Sequence, residues 1–359
     1  MINKKRLIQT FINLAKIDSV SGEEKEVAKE VGRMLKKLGA KVAFDSYGNL
    51  IAKFLGFGEP FLFNAHLDTV EPGRGIKPAI NGDIIKSDGT TILGADPKAG
   101  IAIILETLKH LKENNVPHVP LEIVFTREEE IGLVGAINLD YSKITAKKGI
   151  TIDGEYDFCT ITISSPSYSK VDVTITGIGA HSGEEPEKGV SAIVIASKII
   201  SKLRLGRIDD ETTANIGLIE GGSVRNAVPE TAHFKGEIRS RDPKKLEDHT
   251  KHFENVLKQV LSKHTKAKAE VSIKKMFEGY EFSKNHTTIE QICSILEKSN
   301  TSSNLCHVGG ATDVNIFCTK GIEAVVVGGC FYNAHTTREY AVISEMLKAV
   351  ELCVKLVSA

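Results

Sequence analysis

The chain has 359 residues with 46 basic and 46 acidic side chains, so its formal net charge is zero, and 41% of its residues are hydrophobic. A neutral chain lacks the electrostatic footprint of a nucleic-acid or anionic-membrane binder, and no stretch approaches the ~18 uninterrupted apolar residues of a membrane span. The length exceeds what one hydrophobic core usually serves, so two domains are expected.

The first residues, MINKKRLIQTFINLAKI, space their apolar side chains as an amphipathic helix over about 5–15 and read as neither signal peptide nor span. A second helix is predicted at 23–39, with Ser21 and Glu24 in capping-box register. KVAFDSYGNLIAKF and PFLFNAHLDTV are strand-like, a polar hairpin covers 76–91, and Ile101, Ile104, Leu105, Leu108 and Leu111 recur at helical spacing. LEIVFT and KGITIDGE are further buried-type strands. Continuous apolar strands alternating with helices indicate an α/β fold, a helix-flanked mixed sheet.

Near residue 165 the pattern changes. SYSKVDVTITG and ETAHFKGEIRS alternate with period two, helices are predicted at 189–204 and 243–263, and strands near 212–220 and 269–277. The order strand, helix, strand, strand, helix, strand is a ferredoxin-like α+β arrangement. The Lys-rich KHTKAKAE near residue 264 reads as a solvated connection. The α/β pattern then returns with a helix at 287–299, the strand GIEAVVVGG and a helix at 341–357. A small domain at 167–279 is thus expected inside a larger one formed by 1–166 and 280–359. Six cysteines (Cys159, Cys293, Cys306, Cys318, Cys330 and Cys353) form no CxxC pair, so reduced, mostly buried thiols in a cytoplasmic protein are expected.

Chemistry-bearing residues gather where apolar runs end: His66 and Asp68 in NAHLDTV, Asp96 in GADPKAG, Glu128 to Glu130 in TREEEIG, Asp153 in TIDGE and His335 in YNAHTTREY. Each alone has a plain structural explanation. Together they sit where sites assemble in open α/β sheets, at the carboxyl ends of strands. Imidazole with carboxylate and no thiolate suits catalytic zinc, cobalt or manganese. Two divalent cations against Asp96, Glu130 and Asp153 leave one positive charge, which a hydroxide neutralises. Asp96 precedes Pro97, and the pair reads either as an N-cap with proline opening the helix or as a carboxylate held in an unusual direction. Proline lowers the cost of a cis bond to about 0.5–1 kcal/mol.

With NAHLDTV, GADPKAG, TREEEIG, TIDGE, GAHSG, NAVPE and NAHTTREY in one order over nearly the whole chain, the sequence resembles the dinuclear zinc exopeptidases that include peptidase T, glutamate carboxypeptidase and acetylornithine deacetylase. The resemblance is to peptidase T-like members above all. It implies two divalent metal ions, zinc first with cobalt or manganese as alternatives. His66, Asp96 and Asp153 would bind one, and Asp96, Glu130 and His335 the other. Asp68 would orient His66, Glu129 would be the general base, and Glu128 would be left over at the solvated surface. The family usually has Asp-Asp where this chain has Asp96-Pro97, with a cis bond after the bridging aspartate, so a cis bond is expected here.

The inserted domain resembles the family's lid. His181 in GAHSG would stabilise the oxyanion, Asn226 would bind substrate, and Arg239, with Arg241 as competitor, would take a substrate carboxylate. Gly309, Gly310 and Asp313 resemble a loop lining the substrate pocket, with His307 beside them reading as a plain loop residue. The implied activity is aminotripeptidase-like hydrolysis of short peptides. The alternative is an amidohydrolase, deacylase or carboxypeptidase acting on N-acyl amino acids. Lids in this family can dimerise, so a homodimer is the implied assembly, with Ile193, Ile195 and Ile199 either core or interface. A catalytically dead binding protein would have lost Glu129 or a ligand, and none is missing.

Overall fold

The computed structural model describes residues 2–358, which divide into two compact units. The larger comprises 2–163, Phe282–His307 and 311–358, and the smaller Ser164–Glu281 with Val308–Gly310.

In the larger unit the mixed sheet runs in the order Lys41–Phe44, Leu50–Phe54, Leu121–Thr126, Phe61–His66, Lys148–Gly154, Glu323–Gly328 and Thr160–Ser165. Its centre is parallel: 61–66 pairs in parallel with 121–126 and 148–154, and 148–154 with 323–328. Every residue of 61–66 and of 121–126 is buried, as expected of strands covered on both faces. Their apolar runs have no solvent face to alternate with. Because these strands share a direction, His66, Thr126 and Asp153 all fall at or next to the same ends of neighbouring strands.

The helix Ala95–Glu113 packs against that centre and is buried along most of its length. Asp96 is its one non-helical residue, with ψ of 104°, and the Asp96–Pro97 bond is cis, as is Glu71–Pro72. A second small sheet joins Phe331–Tyr332, Tyr340–Val342, Ile84–Lys86 and Ala79–Asn81, which brings the segment after His335 alongside the segment leading into Asp96.

The expected capping box does not form. The helix Lys25–Leu38 starts at Glu24 without a side-chain cap, because the Ser21 hydroxyl donates to Asp68 at 2.6 Å. Glu24 instead is fully buried and accepts from Arg127 and from the backbone of Glu128. Tertiary partners outcompeted the local pairing.

The smaller unit folds as strand, helix, strand, strand, helix, strand: Ser167–Thr176, Ala192–Ile200, Thr212–Gly221, Thr231–Ser240, Pro243–Leu261 and Lys268–Phe277. The antiparallel sheet order, 212–221, 231–240, 167–176, 268–277, is that of a ferredoxin-like fold. Val171, Val173, Ile175, Phe234 and Ile238 pack under Ile195, Ile199, Phe253 and Leu257 of the two helices. Ile195 and Ile199 are therefore core, whereas Ile193 is exposed. The six cysteines are free, and only Cys330 and Cys353 are fully buried, fewer than expected. Among the described residues no helix is long and apolar enough to cross a membrane.

Candidate active site

Four segments of the larger unit converge on Asp96. Its Oδ1 lies 3.0 Å from Nε2 of His66, at the end of strand 61–66, and its Oδ2 lies 3.3 Å from Nε2 of His335. One carboxylate thus faces two imidazoles with different oxygens. Asp153 Oδ1 approaches His66 Nε2 at 3.2 Å, and Glu130 Oε1 approaches His335 Nε2 at 3.0 Å. Ligand atoms of His66, Asp96 and Glu130 all lie within 4.8 Å of one another.

Asp68 is fully buried and holds three things together. Its Oδ1 lies 3.2 Å from His66 Nδ1, which leaves Nε2 for a ligand, as a carboxylate behind a metal-binding histidine does. The same carboxylate accepts the backbone N–H groups of Glu129 at 2.9 Å and Glu130 at 3.2 Å. One aspartate therefore fixes both the imidazole and the turn that aims the two glutamates.

The electrostatics call for positive charge. Burial opposes ionisation of Asp96, yet hydrogen bonds from His335 and His66 outweigh it and hold the carboxyl down at about 2. Burial pushes Asp153 up to about 7, with His66 opposing, and drives Glu129 well above the usual carboxylate range. Burial also disfavours charge on His66, but Asp153, Asp68 and Asp96 raise it well above its usual 6.5, and Asp96 and Glu130 raise His335 to about 10. Five carboxylates (Asp68, Asp96, Glu129, Glu130 and Asp153) crowd two imidazoles, and the histidines are drawn to hold protons where cations would otherwise sit. Hard oxygen donors and imidazole nitrogens around one bifacial carboxylate fit a pair of divalent cations.

Glu128 is not left over at the surface. It has φ of 52°, accepts a hydrogen bond from the Tyr47 hydroxyl, and lies 3.4 Å from Arg127. A left-handed residue here turns the chain sharply after strand 121–126, ahead of Glu129 and Glu130. Asp313 also departs from expectation. It is 1% exposed rather than lining a pocket, and accepts from Asn64 Nδ2 at 3.2 Å and from the Thr126 hydroxyl, tying neighbouring strand ends together. His307 closes the strand Asn304–His307 rather than lying in a loop.

The remaining predicted residues lie in the smaller unit. His181, exposed on a two-residue strand, pairs opposite Ala227, and the Ser182 N–H donates to the carbonyl of Asn226. His181 Nδ1 accepts N–H groups from Gly183 at 3.3 Å and Glu184 at 3.1 Å, which leaves its proton on Nε2. Arg239 is held by Glu237 through Nε at 3.1 Å and Nη2 at 3.0 Å, stacks on Tyr168, and donates Nη1 to the carbonyl of Gly309 at 3.3 Å. The Gly310 carbonyl accepts from Ser165. Arg241 Nη2 donates to the carbonyl of Asp210.

Sequence reasoning missed Glu339. It is 1% exposed, and its carboxylate accepts three backbone N–H groups from the segment leading into Asp96, at 2.7–2.9 Å. Burial raises it to about 7 against those bonds. The only signal was an acid four positions after His335, inside a motif already assigned to the histidine.

Comparison with known proteins agrees with this architecture. The family profile described as a peptidase dimerisation domain matches residues 163–265, and that of M42 glutamyl aminopeptidases matches residues 68–180. The chain is 39% identical to the uncharacterized protein YqjE of Bacillus subtilis (strain 168), over 99% of each. Aminopeptidase PepT from Bacillus cereus ATCC 10987 is 38% identical, with a TM-score of 0.89 over 99% of this chain and 98% of that one. A tripeptidase from Staphylococcus aureus is 34% identical, with a TM-score of 0.93 and the same coverage. The fold and its cluster of acids and imidazoles define a metal-dependent peptidase. The chain belongs to the dinuclear metallo-exopeptidase family that includes peptidase T, and is similar to its PepT-like members.

Proposed function

We propose that the protein is an aminotripeptidase-like enzyme that releases the N-terminal residue of short peptides with free amino termini. The observation that carries this reading is Asp96, whose two oxygens face His66 and His335 beside the buried Glu129, on a chain 34% and 38% identical to a tripeptidase and an aminopeptidase. His66, Asp96 and Asp153 would hold one divalent cation, and Asp96, Glu130 and His335 the other. Zinc is the first choice, and cobalt and manganese accept the same donors. Cations in these positions would polarise the scissile carbonyl and ease deprotonation of water at neutral pH.

Glu129 takes the proton of the attacking water and delivers it to the leaving amine. Burial raises the proton affinity of Glu129 above that of an ordinary carboxylate, which favours uptake of that proton. Asp68 keeps His66 and the Glu129 turn in register throughout. His181 offers its Nε2–H to the developing oxyanion, a role supported by the two N–H groups that occupy Nδ1. Asn226 and Arg239, with the carbonyl-presenting loop at Gly309 and Gly310, bind substrate. The smaller unit pairs with a second copy through its exposed Ile193, Val194, Ile219 and Val224, within the segment that matches a dimerisation domain. Six free cysteines fit a cytoplasmic location.

The deciding experiment hydrolyses a free tripeptide and its N-acetylated twin with metal-stripped protein, before and after adding zinc, cobalt or manganese. Metal-dependent release of the N-terminal residue from the free peptide alone is the expected result. Cleavage of the blocked peptide alone would move the activity to the deacylase or carboxypeptidase branch.

A further inference from the structure

We propose that Glu339 is a positioning residue that pre-sets the distance between Asp96 and His335, and thereby the affinity of the cation those two share with Glu130. The proposal rests on the ligand assignment above. The helix Ala95–Glu113 begins at Gly94, and no side chain of its own caps it. The amides at a helix start have no intrahelical partners and form the positive end of the helix dipole. Glu339 supplies an acceptor from 243–246 residues away to one amide of the first turn and to two just before it: Oε1 accepts from Asp96 at 2.9 Å, and Oε2 from Leu93 at 2.7 Å and Gly94 at 2.8 Å. A buried carboxyl group accepting three backbone N–H bonds is a rigid attachment, because releasing any of them strands a buried donor.

The other side of Glu339 leads to His335. The Glu339 N–H donates to the Thr336 carbonyl at 3.1 Å, and the Thr336 hydroxyl donates to the Asn333 carbonyl at 2.9 Å, so 333–339 is a closed turn. His335 sits in it at φ of 61°. Immediately after Glu339, Tyr340–Val342 pairs with Ile84–Lys86, which anchors the far side of the turn. One carboxylate therefore locks the His335 turn onto the Asp96 helix start. His66 and Asp153 come from strands of the main sheet, so the other ion shares only Asp96 with this lock.

The test titrates metal-free wild type and Glu339→Gln with cobalt(II), following absorbance, and measures the thermal stability of both metal-free proteins. The amide of the variant places a donor against backbone donors. Wild type is expected to bind two ions per chain. The variant is expected to bind the ion shared by Asp96, Glu130 and His335 at least tenfold more weakly, the size of effect that groups behind metal ligands exert, and to weaken the ion that keeps His66 and Asp153 by less. A purely structural role would lower thermal stability and leave both affinities unchanged, so two ions bound within twofold of wild type would overturn the proposal. One ion or none in wild type would instead overturn the ligand assignment, and this proposal with it. Should Glu339→Gln not fold, hydrogen exchange on metal-free wild type decides: the amides of Leu93, Gly94 and Asp96 are expected to be protected before any metal arrives, and free exchange there would overturn the lock.

Discussion

Asp96 owes its orientation to three attachments: an imidazole on each oxygen and Glu339 on its backbone N–H. Glu129, next to a proposed ligand yet not one itself, separates chemistry from metal binding. Glu129→Gln is nearly isosteric, removes the base and leaves the cluster intact. We expect kcat to fall about 10²–10⁴-fold, with both metals retained and KM little changed. Turnover with metal content by mass spectrometry checks it, and a kcat within tenfold of wild type would remove Glu129 from the mechanism. At this scale the sequence was informative where a motif names a chemistry, as at His66 or Asp153. It was silent where a partner decides the role. Glu24, Asp313 and Glu339 are three acids whose partners in the site lie far away in the chain, and the residues flanking them carry no trace of those partners.

At the scale of elements, the helix Ala95–Glu113 presses on strand 148–154 so closely that Gly100 has no room for a side chain. A Cβ there would lie 2.2 Å from the carbonyl oxygen of Ile152. Two effects compete in Gly100→Ala. Helix propensity favours alanine by about 1 kcal/mol, whereas overpacking a rigid interior costs about 1–3 kcal/mol. The contact is with backbone and cannot be relieved by a rotamer, so packing should win. The variant is expected to unfold at lower urea concentration with an unchanged m-value, and an equal or higher midpoint would show that the helix can shift. Element type and order were legible because burial on two faces, one face or one stripe leaves different periodicities. The capping box at Ser21 and Glu24 was a correct local pattern overridden by Asp68 and Arg127.

At the scale of the molecule, the smaller unit has its own core and an exposed apolar set: Ile219 is 53% exposed and Val224 60%. If these residues join two copies, a charge among them should separate the copies without touching the core beneath. Ile219→Glu is expected to turn a dimer into a monomer in sedimentation equilibrium while its circular dichroism stays that of wild type. A wild type that sediments as a monomer would remove the dimer from the reading.

The strand and helix order, the α/β and ferredoxin-like fold classes and the kind of chemistry were readable along the chain, because periodicity and donor type are local properties. Folding decided which oxygen of Asp96 faces which histidine, that Asp68 holds the Glu129 turn as well as His66, and that Glu339 accepts from amides more than 240 residues away. Those facts follow from which strand ends the parallel sheet places side by side and from where buried carboxylates find their donors. Both are set by packing between distant segments, which no short window of residues contains.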